Sequence, residues 1–138
     1  MTSETVLRWT KLAVYMDVAI CNFLMWLTFA PIGDITATHF ATDAQGVTLL
    51  STTVAVAYLV SAAPFAFYLD SYGLRSSMVV CASLGCIASA LRLVGSLLGR
   101  QEGFGLVMAG QALIGLAQPL FMAAPAKLGK DVQQGGGI

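Results

Sequence analysis

The sequence predicts an all-α membrane protein with four transmembrane helices, and three observations lead there. Hydrophobic residues make up 57% of the 138-residue chain and charged residues 10%, with a mean hydropathy of +0.79, far from the composition of soluble domains. Val47 to Leu69 carries no charge over 23 residues, and Ser76 to Leu91 none over 16, so each run suits a helix of bilayer length. Between them stands one charged island, Asp70 to Arg75, which reads as a tight aqueous turn joining two spans. At about 20 residues per span the apolar runs fill nearly the whole chain and leave no separate soluble domain.

Met1 to Thr10 is a short polar lead in which Trp9 stands where interfacial aromatics anchor a helix. The apolar run that follows is too long for the core of a signal peptide, so it reads as a retained span. This first span is expected over residues 12–32 and is the least uniform, holding Asp17, Asn22, Trp26 and Thr28 and ending in Pro31-Ile32-Gly33. Helix breakers at membrane depth are tolerated where a helix lines a cavity. Asp34 to Gly46 reads as a polar loop carrying His39 and Asp43. The second span is expected over 47–69, with Tyr58 near its centre and Pro64 toward its inner end. After the island, the third is expected over 76–98, where Ala82, Gly85, Ala88 and Ser89 permit close helix approach. A minimal loop, Gly99 to Gly103, leads to the fourth, over 104–126, and a flexible tail is expected over 127–138. Arg8, Lys11, Arg75, Lys127 and Lys130 fall on one side of this arrangement, Arg92 and Arg100 on the other. Five against two places both termini in the cytoplasm.

No catalytic constellation is visible, so no enzyme is expected. His39 is the single histidine, with no nucleophile near it and no second histidine for a metal, and it reads as a solvated loop residue. Cys21, Cys81 and Cys86 lie inside spans, where cysteine behaves as a small apolar residue. Neither a disulfide nor a zinc site follows from their spacing, and no cofactor is expected. A formal net charge of zero lacks the basic face that nucleic-acid binding needs.

The polar residues within spans are the candidate binding groups. Asn22 and Trp26, four residues apart, share a helix face, giving an amide and an aromatic surface near mid-depth. Such a pair holds an organic cation, because a quaternary ammonium has no N–H to donate and takes aromatic faces as ligands; it also serves plain helix packing and an interhelical hydrogen bond. Gln111 and Gln118 share a face of the fourth span and line a cavity or tie helices together, with Tyr58 at comparable depth. Asp17 is the one acid inside a span; it is a proton site, or a carboxylate in headgroup water near Lys11. Arg92 reads as an interfacial anchor whose long side chain snorkels outward, ahead of the alternative that it is a substrate ligand.

The island's Asp70, Gly73 and Arg75 resemble the loop between helices two and three of the major facilitator superfamily, Gly-x-x-x-Asp-Arg-x-Gly-Arg/Lys-Arg/Lys. Here Ala66, Ser71 and Leu74 replace its first glycine and two of its basic residues. Asn22-Phe23-Leu24-Met25-Trp26, Leu69-Asp70 with Gly73-Leu74-Arg75, and Gly110-Gln111 with Ala117-Gln118 and Pro125 are similar to the feline leukaemia virus subgroup C receptor family. That family comprises twelve-helix facilitators associated with choline, ethanolamine and haem, and the similarity covers nearly the whole chain but only the first third of such a transporter. The resemblance implies that Trp26 is the aromatic wall of a substrate site, that Gln118 is a polar ligand with Asn22 and Tyr58 adjacent, and that Asp70, Gly73 and Arg75 form a cytoplasmic gating loop. Asp17 and Pro119 depart from it.

The chain is thus expected to be the N-terminal part of a twelve-helix facilitator in a plasma or internal membrane. It would move a small organic solute, a choline-like cation or haem, by alternating access. Its expected partners are the lipid bilayer, the solute and the remaining helices of the full-length transporter. Two alternatives compete: a dimeric four-helix multidrug exporter driven by protons through Asp17, and a membrane scaffold that transports nothing.

Overall fold

The computed structural model describes residues 3–134, all of whose regular structure is helical. Residues 135–138 of the expected tail, and the side chains of Arg8, Lys127 and Lys130 used in the charge count, lie outside what is described. The helices are α1 (Ser3–Leu27), α2 (Gly33–His39), α3 (Ala44–Leu98) and α4 (Arg100–Gln134). Three are long and apolar enough to cross a membrane: α1 from Trp9, α3, and α4 as far as Ala126.

α3 is a hairpin, and packing against α4 demonstrates it. A Cβ placed on Gly115 would lie 2.5 Å from the Val54 carbonyl oxygen, and one on Gly110 would lie 2.9 Å from that of Ala88. Those two glycines are about 7.5 Å apart along α4, whereas a straight helix would separate Val54 from Ala88 by about 51 Å. The chain therefore turns back between them. It does so at Gly73, whose φ of 80° and ψ of 173° are open to glycine and costly for a residue with a Cβ. The arms 44–72 and 74–98 flank α4, joined by the charged island. Tyr68 and Tyr72 stack at 4.6 Å beside it, and the hydroxyls of Tyr68 and Ser76 lie 2.9 Å apart across it.

Two apolar clusters mark the ends of the bundle. Ala19, Leu69, Cys81, Ala117, Leu120 and Phe121 pack at the hairpin end, where the Tyr15 hydroxyl donates to the Phe121 carbonyl at 3.1 Å. Phe29, Phe40, Leu50 and Val107 pack at the other, near the hydrogen bond that His39 Nε2 makes to the Ser96 carbonyl at 2.9 Å. With Tyr15 beside Phe121 and Phe29 beside Val107, α1 runs antiparallel to α4.

Local boundaries differ from the sequence expectation in several places, among them the starts of α1 at Ser3 rather than residue 12 and of α3 at Ala44 rather than residue 47. α1 stops at Leu27 rather than Ile32, because Pro31 lacks an amide hydrogen and disfavours helical geometry at the residue before it. The expected loop from Asp34 holds the short helix α2, with Asp34 in its first turn, and the Thr36 and Thr38 hydroxyls bonded back to the carbonyls of Ile32 and Asp34. Phe40 then enters the core, and Asp43 caps α3 by accepting the Gly46 amide at 2.8 Å. The loop before α4 shrinks to Gly99, at φ 60°. α4 continues through Gln134, beyond the expected start of the tail.

Candidate functional site

Among the described residues the enclosed part of the bundle is apolar except for six side chains, and half of these are satisfied by carbonyls about one turn earlier in the chain. The buried hydroxyls of Thr36, Ser61 and Ser77 donate to the carbonyls of Ile32, Tyr58 and Gly73. The three buried amides differ. Asn22 is 3% exposed, Gln111 0% and Gln118 3%, and Asn22 Oδ1, both amide atoms of Gln111, and Gln118 Oε1 have no hydrogen-bond partner. Buried side-chain polar atoms in folded proteins are nearly always paired, so these four atoms are the chemically outstanding feature of the interior.

Helix geometry explains where they point. Gln111 and Gln118 project about 20° apart on α4. Gly115, which meets Val54 and Ala57 of the first α3 arm, lies about 40° to one side; Gly110 and Ala117, which meet Ala88 and Cys81 of the second arm, lie about 100–120° to the other. Both glutamines therefore enter the space between the arms. The antiparallel register of α1 with α4 sets Asn22 level with Ile114, between them. Tyr58 follows Ala57 in the first arm and falls at this level too, half-buried. Trp26 is half-buried one turn beyond Asn22, its ring 6.2 Å from that of Phe23. The structure thus gathers Asn22, Trp26, Tyr58, Gln111 and Gln118 into one stretch of the bundle.

The other candidates lie elsewhere. Asp17 is exposed on α1. Asp70 and Arg75 are exposed on either side of Gly73, at the hairpin end and away from the amides.

Arg92 corrects the expectation of an outward anchor. Its side chain is half-buried and crosses α4 at Gly110, where a Cβ would meet Arg92 Cγ at 2.7 Å. Nη1 donates to the Met25 carbonyl at 2.8 Å, and the guanidinium lies over the Phe29 ring, 4.8 Å from its centre. α1 ends at Leu27, so the Met25 carbonyl has no partner within its helix and carries the negative end of the helix dipole. Arg92 caps it. The neighbouring Ser89 hydroxyl donates to Met25 Sδ at 2.9 Å, so Met25 is held from two sides. The early break at Pro31, combined with a glycine opposite the arginine, was the available signal for this contact.

No family model matches the chain. It is 33% identical over 131 residues to solute carrier family 49 member A3 of Xenopus tropicalis, covering 88% of this chain and 26% of that protein. It is 26% identical over 121 residues to the choline/ethanolamine transporter FLVCR2 of Rattus norvegicus, and 25% identical over 121 residues to an uncharacterized MFS-type transporter of Caenorhabditis elegans. Each of those matches covers 88% of this chain, and 22% and 20% of the respective relative. The chain spans about a quarter or less of the length of the relatives it matches.

Proposed function

We infer, from a chain that belongs with the solute carrier 49 and FLVCR transporters of the major facilitator type, that it forms the first four membrane crossings of a secondary transporter. α1, the two arms of α3, and α4 are those crossings, with both termini cytoplasmic and the Gly73 turn on the same side. The solute is a small organic ammonium compound, choline-like in the first instance. Alternating access follows from rocking of this bundle against the remaining helices of the transporter, with Asp70, Gly73 and Arg75 as the cytoplasmic gating loop.

The observation that carries this reading is the set of unpartnered buried amide atoms on Asn22, Gln111 and Gln118, with Trp26 one turn from Asn22, in an interior whose buried hydroxyls are paired. Each unpaired buried polar group costs about 1–3 kcal/mol. A solute with O–H or N–H donors and a cationic head relieves that cost, and the Trp26 face supplies cation–π attraction. Haem ranks behind, since the single histidine is held at the far end on the Ser96 carbonyl. The proton-driven exporter would rest on Asp17, which is exposed on α1.

Trp26→Ala in the product of the complete coding sequence should lose roughly 1–2 kcal/mol of cation–π energy, about 5- to 30-fold in apparent choline affinity. Trp26→Phe should lose less, and surface expression should not change. Equal uptake of tracer choline by wild type and Trp26→Ala below saturation would refute the assignment.

A further inference from the structure

Arg92 stands about 9 Å inside the end of α3 at Leu98, in a segment where an unpaired charge is costly. A guanidinium has five N–H donors. One is used on the Met25 carbonyl, and the guanidinium face lies on the Phe29 ring. Gln111 Nε2, a buried N–H donor without a partner, belongs to the residue next to Gly110, across which Arg92 lies. Gln111 Oε1 is unpartnered as well, so that amide offers both a donor and an acceptor, and the excess of donors at the level of Met25 and Gly110 is the guanidinium's. Toward the hairpin, the unpartnered atoms of Asn22 and Gln118 are both acceptors.

We propose that this stretch is a dipolar site for a zwitterion, whose ammonium group lies at Trp26 and the amide oxygens of Asn22 and Gln118, and whose carboxylate or phosphate lies on Arg92. The spacing fits. Asn22 and Met25 are about 4.5 Å apart along α1, which matches a tether of about two or three bonds of roughly 1.5 Å each. Passage of such a solute rests on the transporter reading above, whereas its binding does not. The same chemistry is offered by a free small zwitterion and by the headgroup of a zwitterionic lipid.

Glycine betaine and choline separate the two ends of the site, since both carry trimethylammonium and only betaine carries a carboxylate. Equilibrium binding of each, labelled, is measured on the purified product of the complete coding sequence in detergent. Wild type, Arg92→Gln, Arg92→Lys and Trp26→Ala are compared, with retained phosphatidylcholine counted by native mass spectrometry. Wild type should bind betaine at least about tenfold tighter than choline. Arg92→Gln should abolish that preference while leaving choline affinity within about twofold, Arg92→Lys should keep part of it, and Trp26→Ala should weaken both probes. No betaine preference, but phosphatidylcholine retained only when Arg92 is intact, supports the site with lipid as its occupant. If Arg92→Gln and Arg92→Lys weaken both probes equally, or if neither betaine nor lipid depends on Arg92, the residue is only a cap on α1 and the proposal is overturned. Arg92-dependent betaine binding without uptake of any ammonium solute would sink the transporter reading and leave the site standing.

Discussion

Replacing Gly115 by alanine measures how tightly the first α3 arm is pressed onto α4. The new Cβ would lie 2.5 Å from the Val54 carbonyl oxygen, 2.8 Å from Ala57 Cβ and 3.0 Å from Val54 Cα. Two of these neighbours are backbone atoms, so no rotamer change relieves the clash. Reaching an ordinary contact of 3.4 Å requires the arm to move outward by about 0.9 Å. Overpacking of this kind costs about 1–3 kcal/mol. Gly105 is the internal control, since it lies in the same helix with nothing within 4 Å of an added Cβ. Both substitutions gain the same helix propensity of about 1 kcal/mol, so their difference isolates the packing term. Gly115→Ala should therefore be less stable than Gly105→Ala by about 1–3 kcal/mol, read by reversible unfolding in mixed micelles of rising SDS fraction. Equal stability would mean that the two helices do not meet at Gly115, and the hairpin deduced from that contact would fall with it.

Two further expectations concern orientation and the start of α3. In a background lacking Cys21, Cys81 and Cys86, Thr42→Cys should react with an impermeant thiol reagent on intact cells and Ser71→Cys should not; the opposite pattern would reverse the topology. Asp43→Ala should remove the cap on the Gly46 amide and cost about 1 kcal/mol, and an unchanged unfolding midpoint would show the cap to be immaterial.

Sequence reasoning located what depends on strong local signals. The hairpin was legible because charge is excluded from the hydrocarbon zone, so six residues holding Asp70 and Arg75 between apolar runs have to be a turn, and glycine within them names the pivot. The end of α1 was not legible from hydropathy, which continues through Pro31 and Ile32; the steric rule for proline decided it. For Asn22, Gln111 and Gln118, helical period told which residues share a face but not which neighbour that face meets. Their enclosure became visible only once Gly110 and Gly115 had fixed the two arms around α4. Arg92 was misread because an arginine near a span end has two outlets, the headgroup layer and an orphan carbonyl, and its carbonyl lies 67 residues away in the chain.

The enclosure of α4 carries a consequence for biosynthesis. Its apolar window is 56% buried, against 6% for that of α1, yet it is the last described helix to leave the ribosome. α1 and the α3 hairpin reach the bilayer first and must wait there with a vacant groove, their small residues turned toward a helix not yet made. α4 arrives with two glutamines and two prolines inside its apolar stretch, residues 104–126, a poor segment to partition into lipid alone, and that groove offers it a prepared seat. Delay at this step leaves the groove open to holdases and quality-control ligases of the membrane. Changes at Gly110 or Gly115 should then appear first as lost abundance of the newly made chain, before any defect in the mature protein is detectable.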